Sequence, residues 1–327
     1  MAIINGSDLV NDTLNGAGLN DLISGFALND ILNGANGADT LDGGLDNDSL
    51  DGGAGNDSLI GGDGADLVLA QIGRDNVDGG AGNDTIDGGG NDDVLLGGSE
   101  NDSITAGAGA DTVFGDSGND SIEGGAGHNN LFGVDGDDTI VGGADGEFID
   151  GGTENDHLSG NGGADNMLGR DGNDSLDGGN GADGLDGGIG ADTLVGGAGR
   201  DSLTGGEGAD QLDLTDPGGK LETDHVEIDV TADFGDVITG FNNAAAPAGG
   251  GDELDIRDLL LPVGTVADAV AQGYLSFDGD ATKTTLSVDL DGAAGAGAPV
   301  VMCTFSGVAF VDSTTSQTDF ADNILVV

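Results

Sequence analysis

Aliphatic residues recur along this chain at every ninth position, from Leu14 and Ile23 to Leu212, twenty-three times without a slip. Met167 is the single thioether among them. Two residues before each stands an acid, with one exception. The positions from Asp12 to Asp210 hold twenty-one Asp, with Asn129 and Glu147 completing the set. Five residues before each of these, Gly stands in twenty of twenty-three. The unit reads G-G-x-G-N/A-D-x-U-x, with U aliphatic, as in Gly52-Gly53-Ala54-Gly55-Asn56-Asp57-Ser58-Leu59-Ile60. The pattern predicts a six-residue turn followed by a three-residue strand in each nonad. Glycine permits the backbone geometries of such turns. In the strand, U points inward and its neighbours outward.

This nonad resembles the calcium-binding parallel β-helix repeat of RTX proteins. The resemblance covers residues 7–213, and its weight lies in the unbroken register. It implies an all-β fold: a right-handed parallel β-roll, or β-helix solenoid, in which two nonads complete one turn. Twenty-three nonads then predict about 11 turns, and a rod ~55 Å long at ~4.8 Å between stacked strands. A small β-rich C-terminal domain is expected to follow.

Three regions are expected along the chain. Residues 1–33 read as an N-terminal cap with weak metal loops. Their nonads carry Val10, Leu19 and Leu28 where later ones mostly carry Gly, and terminal repeats of solenoids are atypical because they cap the stack. Residues 34–213 form the regular block. After Asp213 the period stops at Pro217-Gly218-Gly219, and residues 214–327 hold six of the ten Phe and the single Tyr274. There the alternating run Thr284-Thr285-Leu286-Ser287-Val288-Asp289-Leu290 reads as a strand, and Leu259-Leu260-Leu261-Pro262 as a short helical turn. Segments 236–241, 251–260, 274–277, 288–292 and the acidic-then-apolar end 322–327 resemble the C-terminal target domain of proteins exported by type I secretion. That resemblance implies an exporter that takes the C-terminal region first. The beginning of the chain shows no basic region and no long apolar run, so no cleavable signal peptide is expected. Nor is a membrane span.

Charge changes the picture of the isolated chain. There are 62 Asp and Glu against 6 Lys and Arg, a net charge of -56. Such a surface repels nucleic acid and anionic membrane. With 3% aromatics it would ordinarily signal disorder. Stacked carboxylates ~5 Å apart repel by roughly 1 kcal/mol per pair in water and ~3 kcal/mol at an effective dielectric of 20. Some twenty such pairs exceed the ~5–15 kcal/mol net stability of an ordinary domain. The chain is therefore expected to fold only when a cation neutralises the column. Calcium suits the donors, since it takes six to eight oxygens from carboxylates and backbone carbonyls. By the RTX resemblance, each ion sits between turns eighteen residues apart, with Asp57 and Asp75 bracketing one site and Asp66 and Asp84 another. The expected ligands are Asp39, Asp48, Asp57, Asp66, Asp75, Asp84, Asp93, Asp102, Asp111, Asp120, Asp138, Asp156, Asp165, Asp174, Asp183, Asp192, Asp201 and Asp210. They hold about 15–18 calcium ions.

Other chemistry is sparse. The chain has no H-E-x-x-H and no G-x-S-x-G, and the repeats start at residue 7, so no enzyme is expected. Cys303, the single cysteine, reads as a small buried residue and excludes an internal disulfide. His128 and His157 read as exposed substitutions, and Arg74 and Arg200 as partners of loop acids. The outward positions of one sheet run Leu96, Phe114 and Phe132, with Phe148 and Leu168 nearby. This apolar ladder on an acidic surface is expected to serve contact with another molecule. On the other sheet Thr85, Ser103, Ser121 and Thr139 align, but Leu67 and His157 interrupt them, which argues against an ice-binding row. The expectation is a secreted, non-enzymatic structural protein. It folds on calcium outside the cell and assembles with itself into a filament, surface layer or biofilm matrix. The alternative is a calcium-dependent adhesin or accessory module with a separate partner.

Overall fold

The computed structural model describes residues 1–215 without a break, then 224–227, 236–239, 253–255, 275–280, 283–288, 300–306 and 324–325. It divides into two compact units, Met1–Gly163 and Ala164–Val327. No helix occurs among the described residues, so none is long and apolar enough to cross a membrane.

In the first unit the chain alternates between two parallel sheets of nine strands each. The first sheet begins with Ile3–Asn5, Leu22–Ala27, Thr40–Leu45 and Ser58–Asp63, and ends with Phe148–Thr153. The second begins with Thr13–Asn15, Ile31–Asn33 and Ser49–Asp51, and ends with His157–Ser159. Partners along each sheet lie eighteen residues apart, as in Leu41↔Leu59, Leu95↔Val113 and Ile86↔Ile104. Two nonads therefore make one turn. The aliphatic column is the core: Ile23, Leu41, Leu59 and Leu95 on one sheet face Leu32, Leu50, Ile86 and Ile104 on the other, all at most 1 % exposed. Burial of each such side chain stabilises the fold by ~1.5–3 kcal/mol.

The strands are longer than the expected triplets. All first-sheet strands of this unit after Ile3–Asn5 run six residues, and in the second sheet those from Ser103–Ala108 to Thr139–Gly143 run five or six. In these strands the ladder continues past the aliphatic triplet, as at Gly43 and Gly44. Gly43 turns inward, and Gly44, at φ 110, continues the ladder opposite Phe26 and Gly62. A Cβ on Gly44 would run into the carbonyl of Phe26. Sheet pairing thus extends through half of what the sequence presents as a turn.

The second unit repeats the plan. Asn166–Asp171, Gly184–Gly190 and Ser202–Gly208 form one sheet, while Ser175–Gly181, Thr193–Gly199 and Gln211–Asp213 form the other. Nine turns in one unit and three in the other make about twelve, because the strand Ile3–Asn5 precedes the first nonad. Parallel winding also outlasts the nine-residue period. His225–Glu227 pairs with Ser202–Thr204, and Asp236–Thr239 with Gln211–Asp213. The spacing between paired residues widens there from eighteen to twenty-three at Ser202↔His225 and twenty-six at Gln211↔Val237. Antiparallel pairing then joins Leu275–Asp280 to Lys283–Val288 and Lys283–Val288 to Val300–Ser306, so the alternating run at 284–290 does supply a strand. The helical turn expected at 259–262 and most of the export-like segments lie outside the described residues.

Among the described residues twelve non-glycines hold positive φ. Val134, at φ 89, is the β-branched one, and it stands between Asp116 and Gly152 in the ladder. A β-branched residue in this region is strained by ~1–3 kcal/mol, and Val134 is partly exposed, so its burial contributes little. Val134→Gly should therefore stabilise the calcium-loaded protein by about 1 kcal/mol, net of the glycine entropy cost. Thermal unfolding in excess calcium checks this, and a lower midpoint for the variant would refute the strain.

Candidate metal centre

The acids of the repeat stand where each loop enters its strand, and they form two columns in the first unit. Loops entering the first sheet carry Asp21, Asp39, Asp57, Asp75, Asp93, Asp111, Asn129 and Glu147. Loops entering the second sheet carry Asp12, Asp30, Asp48, Asp66, Asp84, Asp102, Asp120, Asp138 and Asp156. From Asp21 through Asp210 none of these residues is more than 4 % exposed. That is unusual for carboxylates, which are seldom fully buried unless paired.

One oxygen of each carboxylate explains its position. Asp39 donates its backbone N–H to Asp57 Oδ1 at 2.7 Å, Asp57 does the same to Asp75 at 2.7 Å, and Asp66 to Asp84 at 2.8 Å. The pattern runs on through Asp102 to Asp120 and Asp120 to Asp138, both at 2.7 Å. Within the second unit Asp165 donates to Asp183, Asp174 to Asp192, Asp183 to Asp201 and Asp192 to Asp210, at 2.8–3.0 Å. Each carboxylate thus closes the turn before it. The acids expected to bracket one site are in direct contact.

The other oxygen is the chemically demanding one. In Asp30, Asp39, Asp48, Asp57, Asp66, Asp75, Asp84, Asp93, Asp102, Asp111, Asp120 and Asp138 it is buried and receives no hydrogen bond. In all of these but Asp75 and Asp111, where Ala70 and Ala106 take its place, it faces the glycine five residues earlier. A Cβ on Gly43 would lie 2.5 Å from Asp48 Oδ2 and 2.6 Å from the Gly61 carbonyl oxygen; one on Gly25 would lie 2.5 Å from Asp30 Oδ2 and 2.6 Å from the Gly43 oxygen. The absent side chain leaves a cradle in which a carboxylate oxygen meets a carbonyl of the next turn. Among the described residues no three His, Cys, Asp or Glu side chains gather at one point. The donors form a column, one carboxylate per turn with backbone carbonyls between. An all-oxygen, anionic, buried donor set of this kind fits a hard divalent cation that takes many oxygens, which is calcium.

Without a cation, burial makes these groups hold their protons. It pushes the carboxyls of Asp48, Asp93, Asp102, Asp138 and Asp192 from 3.8 up to about 7. Asp57, Asp84 and Asp183 rise to about 6. The backbone N–H to Oδ1 opposes the rise, and the carboxylates of neighbouring turns add to it. Asp21 differs: the N–H groups of Ala2 and Ala17, at 2.5 and 2.8 Å, hold it below the ordinary value.

The residue before each acid has a role that its N/A alternation did not disclose. Asn47, Asn83, Asn101 and Asn119 each accept, through Oδ1, the N–H of the residue eighteen positions later, at 2.8–3.1 Å. These bonds run along the chain opposite to those of the acids, so consecutive turns are stitched in both senses. His128 takes this position in one turn and its Nδ1 lies 2.7 Å from the Gly146 oxygen, which requires the proton on Nδ1. Arg74 lies 3.5 Å from Asp92 on the surface, the expected ion pair. Phe114 and Phe132 stack at 4.8 Å and 9°, and Phe148 tilts against Phe132 at 5.6 Å. With Leu96 they are half-buried, so the ladder partly covers itself. Leu168 is half-buried on its strand in the second unit. Thr85, Ser103, Ser121 and Thr139 are exposed and in register, with Leu67 and His157 flanking them.

These shifts set the pH dependence. A raised folded-state value means that the metal-free fold binds more protons than the unfolded chain between about pH 4 and 7, so its stability falls as pH rises through that window. Metal-free protein should show more strand signal by circular dichroism at pH 5 than at pH 7.5. Calcium must displace those protons, so its folding midpoint should move to higher concentration on acidification. A midpoint unchanged between pH 7.5 and 5.5 would show that the buried oxygens are not the ligands.

The pattern for the RTX calcium-binding nonapeptide repeat, four copies to a match, aligns with twelve overlapping segments running from residue 10 to 215. No curated protein matches the chain. Among solved structures, a hyperactive, Ca2+-dependent, β-helical antifreeze protein from an Antarctic bacterium is 22% identical. That alignment covers 80% of this chain and 87% of that one, with a TM-score of 0.36. A subunit, AlgE6R3, of the Azotobacter vinelandii mannuronan C5-epimerase is 23% identical over 56% of this chain and 78% of its own, with a TM-score of 0.19. The family match spans well over half of the residues and coincides with the two columns of buried acids: the chain belongs to the RTX calcium-binding nonapeptide repeat family.

Proposed function

We propose that this calcium-binding repeat protein is a secreted, non-enzymatic structural element that folds on meeting calcium outside the cell and then assembles with copies of itself. The observation that carries the reading is the column of buried carboxylate oxygens to which no protein group donates. A chain built this way is expected to stay open where calcium is scarce and to close where calcium is plentiful. That suits passage through an exporter, with residues 236–327 as the targeting region. Self-assembly into a filament, surface layer or biofilm matrix is supported by two features. Calcium removes much of the -56 charge that would hold copies apart. The stripe Leu96, Phe114, Phe132 and Phe148, with Val94 beside it, gives one sheet an apolar face on an acidic protein.

Sedimentation and electron microscopy in calcium and in chelator test the assembly. Wild-type protein should form oligomers or filaments in calcium alone. Phe114→Ser with Phe132→Ser, which touches no calcium ligand, should shift the product toward monomer. A calcium-loaded monomer at high concentration would overturn self-assembly in favour of an adhesin or accessory module acting with a separate partner. Deleting residues 236–327 should leave the protein inside cells that carry the exporter. Export of the truncated chain by the same route would overturn the targeting role.

A further inference from the structure

The two columns of the first unit are not equivalent. In the column entering the second sheet, every position from Asp30 to Asp156 is Asp, and the residue five earlier is Gly each time, from Gly25 to Gly151. The column entering the first sheet departs from this at four of five consecutive turns between residues 75 and 147. Ala70 and Ala106 replace the glycine ahead of Asp75 and Asp111. Both are fully buried, so a methyl group sits in the cradle that elsewhere is open between carboxylate and carbonyl. Asn129 keeps its Oδ1 bonded to the Asp111 N–H at 2.9 Å. That turns Nδ2, a buried donor without an acceptor, toward Gly124, where Asp offers an anionic oxygen. Glu147 is one methylene longer and bends its Oε2 back to the N–H of Gly143 in its own loop, at 3.0 Å. The His128 bond to Gly146 ties these same two turns directly.

Cations need acceptor oxygens and open space. A methyl group takes the space, and an amide N–H₂ presents positive hydrogens. The intact column also holds further acids in its loops, Asp46, Asp63, Glu100, Asp116, Asp135, Asp137 and Glu154, against Asp92 and Asp145 in the other over the same turns. We infer that calcium loads the first unit in two classes. The column from Asp30 to Asp156 is a continuous run of sites. The column entering the first sheet is interrupted between Asp75 and Glu147, where a methyl group, an amide or a longer side chain stands in the cradle. The inference rests on the calcium reading and adds which edge of the solenoid the metal stabilises.

Counting bound calcium on the full chain by native mass spectrometry, with the folding midpoint by circular dichroism, tests it. Asp120→Asn, in the intact column, should lose at least one ion and raise the midpoint several-fold. Asp111→Asn, in the interrupted column, should leave both as in wild type; Asn129 already shows that Asn is accepted there. Gly97→Ala should cost an ion at Asp102, and Ala70 and Ala106 show that the fold accepts the methyl. The combination A70G/A106G/N129D/E147D should take up more calcium than wild type, by about four ions. Equal losses from Asp111→Asn and Asp120→Asn, or no gain in the combined variant, would overturn the two classes while leaving calcium binding intact. A protein that binds no calcium at all would overturn both.

Discussion

A carboxylate oxygen, buried and accepting no hydrogen bond, is the constraint on which the rest of this protein depends. Placing an anion in low dielectric without a partner is costly, and here the same cost recurs at turn after turn. The glycine five residues earlier recurs because a Cβ there would crowd that oxygen, and Ala70 and Ala106 are the exceptions. The aliphatic residue two positions later is required because it forms the adjacent core. The eighteen-residue register follows because the companion oxygen closes the preceding turn. Fold and metal demand are thus one property of the nonad rather than a scaffold with a site added.

The packing explains why so thin a core suffices. A solenoid turn touches only its neighbours, so stability builds turn by turn as a sum of local and interface terms. Each interface here combines two aliphatic contacts, a ladder of backbone hydrogen bonds, the Asp-to-backbone bond and, at many turns, an Asn-to-backbone bond in the opposite sense. Aromatic stacking of Phe114 on Phe132 adds to the same interfaces from outside. What the protein alone does not supply is a counter-charge, which leaves the balance to the solution around it.

Much of this was legible in the residues. A period of nine with Gly, Asp and an aliphatic residue in fixed places identified strands, sheets, inward positions and the stacked acids, because each place answers to a steric or electrostatic demand. Three things were not legible. The strands run through Gly43 and Gly44, since a residue without a side chain does not reveal whether it pairs or turns. The parallel pairing continues at His225–Glu227 and Asp236–Thr239, since strands can pair at wider spacings in sequence that erase the period. The roles of Asn101 and His128 were hidden because their partners lie eighteen residues away, and alternation of Asn with Ala looked like indifference. The stacked rings of Phe114 and Phe132 were placed by counting, yet how far they cover each other depends on rotamers that spacing does not reveal.

The eighteen-residue register also bears on how such a chain can change its length. Inserting or deleting a single nonad would preserve the sequence motif but carry every downstream loop to the opposite edge. Acidic loops now stacked with Asp48, Asp66 and Asp84 would continue under Asp57, Asp75 and Asp93 instead, and the phenylalanines would leave one sheet for the other. Steps of two nonads leave both edges and both faces as they are. Duplication in this lineage should therefore be even-numbered, with odd steps confined to places where neither edge has a character to lose.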